Sequence, residues 1–163
     1  MRLLIVRHAI AVERGTPGVP DDERPLTPEG RKRFRAAARG LAGILPRPDV
    51  VLSSPLPRAK ETAEIAARAW GRVAVKTVDA LRGGDVGALE EALGARAEDA
   101  FLVVVGHEPY LSHLLGRLLD SRSADRLSFR KGGAALVEVP GPLADGGHLL
   151  SFLPPKVLRK LRR

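Results

Sequence analysis

Three short, strongly apolar runs limit what this chain can become: RLLIVR at 2–7, DVVLS at 49–53 and FLVVV at 101–105. Each is too short for a buried helix and each ends in a polar turn, so each reads as a strand buried on both faces. Stretches of helical period lie between them. In PLTPEGRKRFRAAARGLAGIL, Thr27 is placed as an N-cap, with Pro28 at the first helical position and Gly30 an early helical residue. A second helix is predicted from Pro57 to Trp70, a third over 85–97 and a fourth over 110–120. VAVKTV at 73–78 is a further strand, and two late strands are expected at about 126–139, interrupted near its glycines, and at 147–153, before a basic C-terminal helix. Residues 15–24, with two Gly and two Pro, read as a loop.

Alternation of strand and helix predicts an α/β fold: a three-layer α/β/α sandwich whose central sheet is mostly parallel, with the late strand pair as an antiparallel edge. No linker or repeat divides the 163 residues, and 44% hydrophobic content is enough for one domain, 1–163, to bury its own core. In such folds ligands bind beyond the carboxyl ends of the strands. His8, Arg58 and His107 each follow a predicted strand, and Arg7 precedes His8, so separate segments deliver reactive groups to one edge. Taken singly, each has a plainer reading: a loop-bonded histidine, a helix-surface arginine, a capping imidazole. Together they form a kit for phosphoryl transfer. A neutral imidazole can attack phosphorus, guanidinium forks can hold the phosphoryl oxygens, and a second imidazole can hold a proton and donate as charge shifts. Such a set needs no metal and no organic cofactor. Neither HExxH nor a paired His–carboxylate spacing occurs, and no nucleotide-loop motif is present.

The segments LLIVRHA, SSPLPRAKETA and GHEP resemble the histidine phosphatase superfamily, the phosphoglycerate-mutase-like proteins. The chain's length, together with DERPLTPEG and LPPKVL, resembles the phosphohistidine phosphatases of the SixA type within it. The likeness spans nearly the whole chain, in the family's order. It implies that His8 accepts the phosphoryl group and that Arg7, Arg58 and His107 form the phosphate pocket. Arg24, in ERPLT, matches a recurrent position of the SixA type and is a further pocket residue by that resemblance; a loop–helix salt bridge is the other reading. The family's Arg-His-Gly is here Arg-His-Ala, and Ala9 is tolerable wherever the backbone does not require a positive φ.

Larger members of the family carry a proton-donating carboxylate on an insertion that is nearly missing here. Asp85 is the nearest positional candidate, although an N-cap role suits it better, and Glu108 is another. Protonated imidazole leaves readily, so a short chain without the insertion suits phosphohistidine in a protein. The alternatives are a small-molecule phosphomonoesterase on the same site or a binding module that recognises phosphohistidine without turnover. His113 and His148 have no evident partners and read as structural or exposed.

Net charge is +8, from 27 Lys and Arg against 19 Asp and Glu. Basic residues are spread along the chain, except in the tail KVLRKLRR, and aromatics are only 4%, too few for a base-stacking surface. A phosphorylated protein or small phosphorylated molecule is therefore the expected partner, not nucleic acid and not a membrane. With no cysteine, no leader-like segment and no long uncharged apolar stretch, a cytoplasmic protein is expected. Asn and Gln are absent and Met1 is the sole methionine, a depletion that points to a thermophilic source or to biased codon usage.

Overall fold

The computed structural model describes residues 1–94 and 99–161. Strands β1 (Arg2–Arg7), β2 (Val50–Ser53), β3 (Val75–Thr77), β4 (Phe101–Gly106), β5 (Ala134–Glu138) and β6 (His148–Leu153) form one sheet in the order β3-β2-β4-β1-β5-β6. The first four run parallel, β5 runs antiparallel to β1, and β6 antiparallel to β5. This is the expected mostly parallel sheet with an antiparallel edge.

Period-2 alternation in β1 divides the core. Leu4 and Val6 face a cluster with Phe34, Ala37 and Leu41 of α1 (Pro28–Ile44) and Ala59, Ala63 and Ala66 of α2 (Pro57–Ala69). Leu3 and Ile5 face the other cluster, which takes Leu81 of α3 (Ala80–Gly83), Leu89 and Leu93 of α4 (Val86–Gly94) and Leu111, Leu114 and Leu115 of α5 (Tyr110–Leu118). Helices thus cover both faces. The adjacent strands β1 and β4 send their following helices to opposite faces, which opens a crevice at their carboxyl ends.

Thr27 caps α1 as expected: its Oγ1 accepts the Gly30 N–H at 2.9 Å, with Pro28 at the helix start. Gly30 is required for a different reason. A Cβ there would fall on the Ile10 carbonyl oxygen, which itself accepts the Thr27 N–H at 3.0 Å. Gly30→Ala should therefore cost about 1–3 kcal/mol of stability through overpacking against backbone, read as a lowered Tm. An unchanged Tm would mean that the loop after β1 yields freely.

Two expectations need correction. The strand expected at 126–139 shrinks to β5, because Ala124–Leu127 is a 3-10 turn and Gly132 adopts φ +77. There the Gly132 N–H is shared between the carbonyls of Arg7 and His8, at 3.1 Å each, so this loop closes on the end of β1 rather than extending a strand. The third helix, expected over 85–97, is α4, which begins after Asp85; a separate turn, α3, precedes it and ends on Gly84 at φ 74, and the last part of the expected span, 95–97, lies outside the described residues. The basic C-terminal helix is the single turn α6 (Pro155–Leu158), with residues 162–163 outside the description. Among the described residues no helix is long and apolar enough to cross a membrane.

Candidate active site

His8 leaves the end of β1, where its N–H donates to the Gly106 carbonyl at 3.0 Å. Only 5% of it is exposed. Its Nδ1 lies 2.7 Å from the Ala9 carbonyl oxygen. A carbonyl only accepts, so Nδ1 carries the proton and the lone pair sits on Nε2. Among the described residues nothing hydrogen-bonds Nε2. Burial pushes the His8 pKa down to about 3, and His107, Arg58 and Arg7 press the same way, against the Ala9 hydrogen bond. The ring is neutral at ordinary pH. Ala9 itself has no positive φ, so nothing in the backbone here calls for the family's glycine; its N–H is held by Thr62 Oγ1 at 3.0 Å.

Two guanidinium groups reach this ring from different elements. Arg7 Nη1 donates to the Phe129 carbonyl at 2.6 Å. The Phe129 N–H in turn donates to Glu108 Oε1 at 2.8 Å, and the other Glu108 oxygen accepts from Ser112 Oγ. Arg58, in the first turn of α2, is buried and donates from Nη1 to the Asp21 carbonyl at 2.8 Å, with the Asp21 carboxylate 3.9 Å from Nη2. Thr62 Oγ1 donates to the Arg58 carbonyl at 2.7 Å while accepting from Ala9, so one hydroxyl links the arginine's turn to the histidine's strand. Among the described residues Nε of both arginines is buried without a partner. Unanswered buried donors on two cations favour an arriving anion.

His107 follows β4, and its ring centroid is 5.1 Å from that of His8. Its Nε2 shares a hydrogen bond of 2.8 Å with Ser54 Oγ, and its Nδ1 is buried with no partner among the described residues. Burial first, then Arg58, Arg24 and Arg7, lower its pKa to about 4. The ring is therefore neutral in the free protein and carries one N–H. A bound dianion would oppose the nearby cations and draw a second proton on.

Arg7, His8, Arg58 and His107 thus come together. Arg24 is buried in the same cationic group: its Nε donates to Asp21 Oδ1 at 2.9 Å and its Nη1 to the Val12 carbonyl at 2.8 Å. It makes an ion pair within its own loop, and its charge is felt at Arg58 and His107. The two carboxylate candidates are otherwise engaged. Asp85 Oδ1 accepts the Ala88 N–H at 3.0 Å and caps α4, while Glu108 fastens the segment that holds Arg7. His113 and His148 are exposed. Sequence reasoning missed Ser54, Thr62 and Asp21. Ser54 ends the run after β2 and Thr62 lies one turn beyond Arg58, positions that could have drawn notice; Asp21 sits in a loop with no periodic signal.

The two imidazoles make stability sensitive to acid. Each titrates ordinarily at 6.5 but at about 3 and about 4 in the fold. Between those values the unfolded chain binds protons that the native state refuses. Their contribution is therefore intact above pH 6.5 and falls as pH drops through that window. Tm should decline from pH 7 to pH 4, and His8→Ala should make the decline shallower. An identical slope in the variant would contradict this.

Residues 3–102 match the family model described as the histidine phosphatase superfamily (branch 1). An uncharacterized protein of Picosynechococcus sp. is 34% identical over 136 residues, covering 82% of each chain. Among solved structures, a putative phosphohistidine phosphatase SixA from Nakamurella multipartitia is 32% identical, with TM-score 0.75 over 94% of this chain and 95% of that one. The protein histidine phosphatase SixA complexed with tungstate is 25% identical, with TM-score 0.81 over 96% of this chain and 98% of that one. On this family match and these likenesses, the chain belongs to the histidine phosphatase superfamily, branch 1, with a SixA-like fold.

Proposed function

We propose that this chain, as one domain over 1–163, is a cytoplasmic, metal-independent phosphatase that removes phosphate from phosphohistidine in a protein through a phospho-His8 intermediate. One observation carries the reading: a neutral His8 with Nε2 unbonded, in contact range of His107 and within the field of Arg7 and Arg58. Nε2 attacks phosphorus, and the bond from phosphorus to the leaving nitrogen breaks. Arg7, Arg58 and His107 hold the equatorial oxygens, and the leaving imidazole takes its proton from solvent. Water then attacks phospho-His8 in line, one of its protons passes to solvent, Nε2 recovers its lone pair, and inorganic phosphate departs. With a loose transition state, positioning and charge supply most of the acceleration.

Tungstate in a SixA structure is a tetrahedral oxyanion, and its presence in a relative of this fold supports an oxyanion pocket here. The substrate class rests on the carboxylates. Asp85 and Glu108 are engaged elsewhere, and Asp21 is held as an anion by its arginines: desolvation, the largest single effect, raises its pKa, but the hydrogen bonds and charges of Arg14 and Arg24 together outweigh it and lower the pKa. None of these three is placed as a ready acid, which suits a P–N bond better than an alkyl phosphate ester. Among the described residues no group of three His, Asp or Glu could hold a metal ion. The test is a substrate panel at equal concentration. Phosphohistidine protein and phosphoramidate should turn over well above sugar and nucleotide phosphates; the reverse ranking would make the chain a small-molecule phosphomonoesterase.

A further inference from the structure

A crevice opens beside the candidate site that the catalytic reading does not use. Its floor is apolar, formed chiefly by Ala9, Phe34 and Pro155, and its rim carries Arg33, Lys131 and Arg159. Phe34 is buried, whereas Arg33 and Lys131 are exposed. The crevice abuts the nucleophile's strand: Ala9 follows His8, and Gly132, next to Lys131, donates to the carbonyls of Arg7 and His8. The end of β6 leads into Pro155, so crevice and site share the same edge of the sheet.

Its size and charge narrow what it takes. The space within it is about 20 Å³, room for about one water molecule and far below the roughly 300–1,000 Å³ typical of small-molecule pockets. A docked chain therefore rests on its rim rather than entering it. Arg33 is paired with Glu29 at 2.6 Å, whereas among the described residues Lys131 and Arg159 have no ion-pair partner. Arg130, Lys156 and Lys160 flank the rim in sequence. Such a rim is complementary to a segment of acidic side chains.

We infer that the basic rim of this crevice docks an acidic segment of the phosphoprotein substrate, a few residues away from the phosphohistidine that enters the His8 pocket. The inference rests on the phosphatase reading above. An extended chain spans about 3.3–3.6 Å per residue, so side chains within a few positions of the phosphohistidine can reach Ala9's neighbourhood while the phosphoryl group faces His8. Specificity for protein substrate would then come from a surface separate from the chemistry.

The experiment uses three substrates: phosphoramidate, a phosphohistidine peptide with Asp, Glu and Leu flanks, and the same peptide with Lys replacing the acidic residues. The full-length protein is compared with a Lys131→Glu/Arg159→Glu variant. Wild type should prefer the acidic peptide on the order of tenfold in kcat/KM through a lower KM, a preference that shrinks with added salt. The variant should lose that preference while hydrolysing phosphoramidate at the wild-type rate. Equal treatment of both peptides by wild type, or an acidic preference that survives in the variant, overturns the docking inference and leaves the phosphatase reading standing. Loss of phosphoramidate turnover in the variant also overturns it, since the rim would then belong to the chemistry. Failure of wild type to hydrolyse phosphoramidate at all overturns the phosphatase reading itself.

Discussion

His8→Ala protein mixed with phosphoramidate should show no phosphate adduct by intact mass after a rapid quench and should release no phosphate, whereas wild type should show both. The expectation follows from what His8 does and does not touch. Its one side-chain hydrogen bond goes to the carbonyl of the next residue, so the imidazole does not tie distant parts of the fold together. Its loss removes the lone pair on Nε2 and leaves the arginines in place. The variant should therefore remain folded and still bind phosphate, which circular dichroism and a binding titration would establish. Turnover by His8→Ala at a rate near wild type would sink the nucleophile assignment. Retained phosphate binding without an adduct in wild type would turn the chain into a non-catalytic binding module.

Arg58→Ala should lower kcat/KM at least about a hundredfold, the loss expected for a preorganised donor to developing charge at about 2.7–4 kcal/mol. Arg58 is 5% exposed, and only one terminal nitrogen is taken up by the Asp21 carbonyl, which sets the fork's orientation and leaves Nε without a partner. Arg58→Lys should recover only part of the loss, since a point charge cannot reproduce two donors in fixed geometry. Activity of Arg58→Ala close to wild type would remove the residue from the phosphate pocket. Arg7 is the weaker test, because its substitution also frees the Phe129 carbonyl and disturbs the Glu108 segment.

The strands that carry the site were legible because their chemistry is one-dimensional. β1, β2 and β4 are apolar on both faces, so each run marks itself without reference to its neighbours, and the residue after each run is fixed at the sheet edge. His8 and His107 directly follow such runs, and Arg7 and Arg58 joined them through the chemistry of phosphoryl transfer and the family resemblance. Ser54, Thr62 and Asp21 act through hydrogen bonds to groups far along the chain, and no local pattern announces a partner 53 or 37 positions distant. The failure at 126–133 has the same origin. Its glycines read as an interruption within a strand, whereas Gly132 serves the carbonyls of Arg7 and His8 across the sheet.

The pairing of β1 with β4 joins residues 2–7 to residues 101–106. His8 and His107 meet only because those two segments, separated by about a hundred positions, lie side by side. Closing so long a loop is an entropic cost that local helices do not share. A growing or refolding chain can form α1 and α2 early, yet it has no phosphate pocket until the centre of the sheet has zipped. Catalysis should therefore reappear during refolding together with the last global signal rather than in stages, and a nascent chain should bind no phosphate until synthesis has carried β4 clear of the ribosome.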